Sequence, residues 1–113
     1  MTRYERCMQI WSLLICAAND RKTYTYGDVA DILGMKGAGV MAQFLGPIMW
    51  MCEDRKWPPL TVLVVNQSTG LPGEGLTTIE NVNTDREKVF NFDWFSLIPP
   101  SVQDFGSADR NTA

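Results

Sequence analysis

The sequence predicts a small α+β domain in which three N-terminal helices precede a β-hairpin and a short C-terminal helix. Three observations predict it. Apolar residues recur at helical spacing through the first half of the chain. A β-branched run, LTVLVVN, follows the double proline of WPPL. Thr84 with Glu87 then has the spacing of a capping box, which opens a last helix. The 113 residues, 45% apolar with four Trp and five Phe, suffice for one domain with its own core, since a chain of this length buries roughly two thirds of its unfolded surface.

Tyr4, Cys7, Met8, Trp11, Leu14, Ile15 and Ala18 repeat at intervals of three and four, so a first helix is expected over residues 3–18, stopped by Asn19 and Asp20. Ile10, Leu13 and Ala17 fall outside that stripe, and the helix is apolar around more than half its circumference. Its second face needs cover from the C-terminal segment or from a partner subunit, and cover from within the chain is the simpler expectation. Arg3 and Arg6 ahead of IWSLLICAA superficially suggest an export signal. Glu5 and Gln9 interrupt that pattern, and Ile15 is bulky where processing wants a small residue. The run is also far short of the ~20 residues that span a bilayer, so a cytoplasmic protein without a membrane partner is expected.

Thr25 followed by Asp28 starts a second helix over residues 26–33, with Val29, Ala30, Ile32 and Leu33 inward and Gly34 free to take the left-handed conformation that ends it. GMKGAG is the turn. From residue 38, Met41, Phe44, Leu45, Ile48, Met51 and Cys52 keep one face in register through Pro47, which predicts one helix bent at Gly46 and Pro47. Its opposite edge carries Gly39, Gln43, Gly46, Trp50 and Glu53, small at the start and almost uncharged. Residues 60–80 then read as a strand, an excursion through STGLPGEGL and a return strand, with Ser68 and Thr69 at the tip. The last helix is expected over residues 85–95, docking Val89, Phe90 and Trp94. Beyond Pro99 and Pro100 the composition turns polar, which predicts a domain of residues 1–100 and a flexible tail of residues 101–113.

Three helices and a hairpin are the order of a winged helix-turn-helix. YGDVADILG, the helix containing FLG, and PPLTVLVVNQSTGLPG resemble the DNA-binding domain of the alkylguanine-DNA alkyltransferases and the non-catalytic alkyltransferase-like proteins. The resemblance covers residues 24–73 and rests on Tyr26, Gly27, Ala30, Gly46, Pro59, Val64, Val65 and Gly70. That family carries a Pro-Cys-His-Arg-Val core whose cysteine takes an alkyl group from a flipped guanine; here Leu60 stands about where the nucleophile would be and Thr61 where its histidine would be. Alkyl transfer has no chemistry to run on. Gln43 stands where the family inserts an arginine into the base stack, and can fill a gap or bond a base edge without charge. The resemblance implies a phosphate contact from Tyr26.

Other chemistries find little support. The chain has no histidine, the commonest general base, and its three cysteines (Cys7, Cys16, Cys52) share no metal-type spacing and read as reduced thiols. No cofactor or metal is expected. LPGEGL lacks the Lys-Ser or Lys-Thr of a phosphate loop and holds Glu74, which would repel phosphate. The acids Glu53 with Asp54 and Asp85 with Glu87 read as solvated or capping groups, and the aromatics Phe90, Phe92, Trp94 and Phe95 as core in an acidic segment rather than as a base-stacking platform.

Two readings of function remain. In the first, a non-enzymatic protein meets double-stranded DNA through Tyr26, Lys36, Gly39, Gln43, Ser68 and Thr69. In the second, the same shape is a protein-interaction module, such as a homodimer through the first helix or through the strip of Gly39, Gly46 and Trp50. The net charge of −3 favours the second, because phosphate neutralisation supplies most nucleic-acid affinity. The charge is uneven: residues 1–60 hold seven basic and six acidic side chains, residues 61–113 three and seven. The position of Arg21, Lys22, Lys36, Arg55 and Lys56 in space therefore discriminates, one shared face favouring DNA and dispersal favouring protein.

Overall fold

The computed structural model describes residues 1–110. Helix α1 (Arg3–Asn19) starts in a capping box: Glu5 N donates to Thr2 Oγ1 and Thr2 N donates to Glu5 Oε1 at 2.8 Å. The bond from the Thr2 backbone, reinforced by the Thr2 side chain, holds the Glu5 carboxyl below its ordinary pKa. Cys7, Ile10, Trp11, Leu14, Ala17 and Ala18 of α1 are all buried. The helix packs against elements from the rest of the chain, which cover much of both apolar faces and leave Met8, Leu13 and Ile15 half-buried.

Strand β1 (Tyr24–Thr25) leads directly into α2 (Tyr26–Ile32), whose N-cap Thr25 and Asp28 complete a second capping box. Gly34 sits at φ +70 and ends the helix as expected. A single 3-10 turn over Ala38–Val40 follows, and α3 (Ala42–Asp54) begins only after it. That helix continues through Pro47 and buries Phe44, Leu45, Ile48, Met49, Met51 and Cys52.

The hairpin does not form. Residues 60–63 make a 3-10 turn, and β2 (Val64–Val65) pairs in parallel with β1, Tyr24 opposite Val64 and Thr25 opposite Val65. A parallel pair needs a long crossover, which the segment containing α2 and α3 provides. Val64 and Val65 are accordingly both buried, as strands of parallel sheets are. No return strand is present among the described residues: residues 66–81 run as a loop, where Gly70 at φ +69, Pro72, Gly73 and Gly75 oppose extended pairing. The α+β class therefore holds only in its coarse form, an α-rich fold of five helices with one two-stranded sheet among the described residues.

Helix α4 (Val82–Asn91) begins three residues earlier than expected because Asn81, not Thr84, is its cap, accepting from Thr84 N at 3.0 Å. Trp94 lies beyond it in a 3-10 turn and donates from Nε1 to the Val89 carbonyl at 2.8 Å. The expected tail is the largest correction. Ser101 and Asp104 form a third capping box that opens α5 (Val102–Ala108), and Phe105 is fully buried against α1 and α3. Its ring lies 6.3 Å from that of Trp11, which also meets Trp57 and Trp94 at 5.5 Å each. Residues 111–113 of that stretch lie outside the described residues. No described helix is long and apolar enough to cross a membrane.

Candidate functional site

The N-terminal half of α3 leaves one edge uncovered. Gly39, Ala42 and Gln43 are exposed and Gly46 is half-buried, because the apolar stripe of this helix faces the other way. A cavity of about 510 Å³ opens on one side of that edge. Tyr26, Gly27, Ala42, Leu45 and Gly46 form its helical wall; Asn66, Gln67, Gly73, Gly75 and Leu76 form the facing wall. None of these lining residues carries a charge. On the other side lies a shallower cleft of about 370 Å³ with Arg3, Gln43, Trp50 and Asp109 around it, and Gly39, Ala42 and Gly46 border both. Gly39 of the 3-10 turn, with Ala42 and Gly46 of α3, thus forms a low ridge between two depressions.

The two cavity walls are tied at one point. Gly73 N donates to Tyr26 Oη at 2.7 Å, so this hydroxyl faces inward and retains its own proton for donation. A Cβ at residue 73 would stand 2.6 Å from Tyr26 Oη, which is why glycine is required there. The loop itself is folded tightly, with Asn66 N donating to Leu71 O and Gly70 N to Asn66 O, both at 2.8 Å. From outside the cavity, Arg86 Nη2 of α4 donates to the Gly70 carbonyl at 2.6 Å.

Most cations are committed to neighbours. Arg21 meets Glu87 at 2.8 Å and stacks over Phe90; Arg55 meets Asp104 at 3.3 Å and stacks over Trp57; Lys22 lies 3.8 Å from Asp20. Arg110 pairs with Asp54 and covers the Trp50 ring at 4.1 Å. Asp109 is buried, accepts from Tyr4 Oη at 2.9 Å and has Arg3 at 3.5 Å. That bond to Asp109 raises the Tyr4 pKa above its usual value. Lys36, Lys56 and Lys88 are exposed without an ion pair among the described residues. Lys36 precedes and Lys56 follows α3, a helix of 13 residues about 20 Å long.

The structure brings Tyr26, Gly39 and Gly46 together at the larger cavity, with Gln43 on the adjoining edge. Trp50 lies along the cleft, half-buried beneath Arg110. Ser68 and Thr69 are exposed in the loop, and Thr69 Oγ1 accepts from Leu71 N at 3.2 Å. Leu60 and Thr61 are fully buried. Burial pushes the Cys7 and Cys52 thiols up to about 12, far from a nucleophilic thiolate. Asn66, Gln67, Gly73 and Leu76 line the cavity without a local signal in the sequence, where NQSTG and LPGEGL have ordinary turn and loop-tip composition. Comparison with protein-family models, with curated proteins and with solved structures finds no match.

Proposed function

We propose that this chain is a non-enzymatic DNA-binding protein of winged-helix-like build, similar in its α2-turn-α3 unit to the alkyltransferase-like proteins. In this reading the loop of residues 66–81 serves in place of a wing. One observation carries the reading: the open, small-residue edge of α3 borders a neutral cavity walled by Tyr26. A backbone or base edge can approach Gly39 and Ala42 closely, and a base lifted from the stack finds an aromatic ring and the amides of Asn66 and Gln67. Lys36 supplies a phosphate contact at the turn before α3. Fluorescence anisotropy with a labelled duplex tests this. Binding should weaken with salt, and Lys36→Glu should reduce the log–log salt slope by about 1. No anisotropy change at low salt would remove the reading.

A second reading has its own observation. Arg3, Arg21, Arg55 and Arg110 all sit beside carboxylates, which leaves little charge for phosphate and suits a protein partner along Gly46 and Trp50. Sedimentation at rising concentration distinguishes its homodimeric form, in which the apparent mass doubles.

A further inference from the structure

The loop that walls the cavity is pinned at two points, and one of them lies outside the cavity. Gly70, at φ +69, is where the loop reverses, and the bonds joining Asn66 to Gly70 and Leu71 make residues 66–71 one compact turn. Whatever fixes the Gly70 carbonyl therefore fixes Asn66 and Gln67, the two amides on the cavity rim.

That carbonyl is held by Arg86. Arg3, Arg21, Arg55 and Arg110 each face a carboxylate, whereas half-buried Arg86 has no ion pair among the described residues. Its Nε is buried without a hydrogen-bond partner among the described residues. The contact its Nη2 makes is with the backbone of a loop 16 residues away in sequence. Its platform is firm: Val89 of α4 is fully buried, and the Asp85 carboxylate accepts from Glu80 N at 2.9 Å and Asn81 N at 3.2 Å.

We infer that Arg86 is a positioning residue for the cavity, setting through Gly70 where Asn66 and Gln67 meet an extrahelical base. The inference rests on the DNA reading, and its test keeps the two separable. The full-length protein, Arg86→Ala and Arg86→Lys are each titrated with a plain duplex and with a duplex carrying mismatched 2-aminopurine, whose fluorescence rises on unstacking. Amide hydrogen exchange is followed in parallel at Gly73 and at Val89.

Arg86→Ala should weaken binding to the 2-aminopurine duplex by about tenfold while leaving plain-duplex affinity and its salt slope within about twofold. Exchange at Gly73 should accelerate by about tenfold with Val89 unchanged. Arg86→Lys, which restores one donor, should recover at least half of each effect. Equal weakening on both duplexes, unchanged Gly73 exchange in Arg86→Ala, or no recovery by Arg86→Lys would overturn the inference. If the unaltered protein binds neither duplex the DNA reading falls, and exchange at Gly73 still decides whether Arg86 sets the loop.

Discussion

Replacing Gly73 with alanine probes the junction of the two cavity walls. Gly73 is not in the left-handed region, so alanine adds no backbone strain and its effect comes from the new methyl group alone. That methyl would lie 2.6 Å from Tyr26 Oη and 3.4 Å from Cζ. The tyrosine must swing away or the loop must lift, and either movement breaks the Gly73 N to Tyr26 Oη bond. Losing the bond costs about 0.5–1.5 kcal/mol, and displacing the ring costs about 1 kcal/mol more. Gly73→Ala should thus destabilise by about 2 kcal/mol, some 8 °C in Tm for a chain of this size. Tyr26→Phe alone should cost about 1 kcal/mol. In the double variant the clashing oxygen is gone and the bond is lost only once, so the total should stay near 1 kcal/mol, a coupling of about 2 kcal/mol. Urea unfolding followed by tryptophan fluorescence measures all four species at constant m. Additive losses would refute the argument, since they would mean that residue 73 and the Tyr26 hydroxyl do not meet.

The remaining predictions concern the core and its termini. Phe105→Ala should destabilise by about 3–5 kcal/mol, and a chain ending at Pro100 should fail to give a cooperative thermal transition, whereas loss of a frayed tail would leave the transition intact. Ellman's reagent should titrate exposed Cys16 rapidly in the folded protein, with Cys7 and Cys52 reacting only on unfolding because burial raises both thiols to about 12. Glu5 and Asp104 have carboxyl pKa values lowered chiefly by the backbone bonds from their caps Thr2 and Ser101. Their contribution is complete above the ordinary carboxylate range near pH 4 and is lost as pH falls through the depressed values. Acid unfolding curves of Glu5→Gln and Asp104→Asn should therefore be shallower below about pH 4 than that of the unaltered chain.

Much of the helical half was legible because caps and spacing agree there. Thr25 with Asp28, Gly34 at the end of α2 and the Met41-to-Cys52 stripe all appear where local chemistry puts them. The second half was less legible for identifiable reasons. LTVLVVN has strand composition, yet its buried neighbours impose a 3-10 turn on residues 60–63, leaving two residues to pair with a partner 40 positions upstream. Nothing local in the sequence specifies that long-range pairing. Ser101 and Asp104 did carry a readable signature, masked by the surrounding polar residues and the preceding prolines. Of the site, the open edge of α3 followed from periodicity, while the cavity arose from the way an irregular loop folds over Tyr26. Gly73 and Arg86 matter through contacts 47 and 16 residues away in sequence, a range at which turn propensities are silent.

The proposed DNA-contacting surface is the open edge of α3 with the cavity beside it. Amide chemical-shift mapping on titration with a short duplex addresses it most directly. Saturable shifts are expected at Tyr26, Lys36 through Gly46, and Asn66 through Gly73, with α4 and the C-terminal half of α1 unmoved. Shifts centred on those helices, or none at low salt, would contradict it.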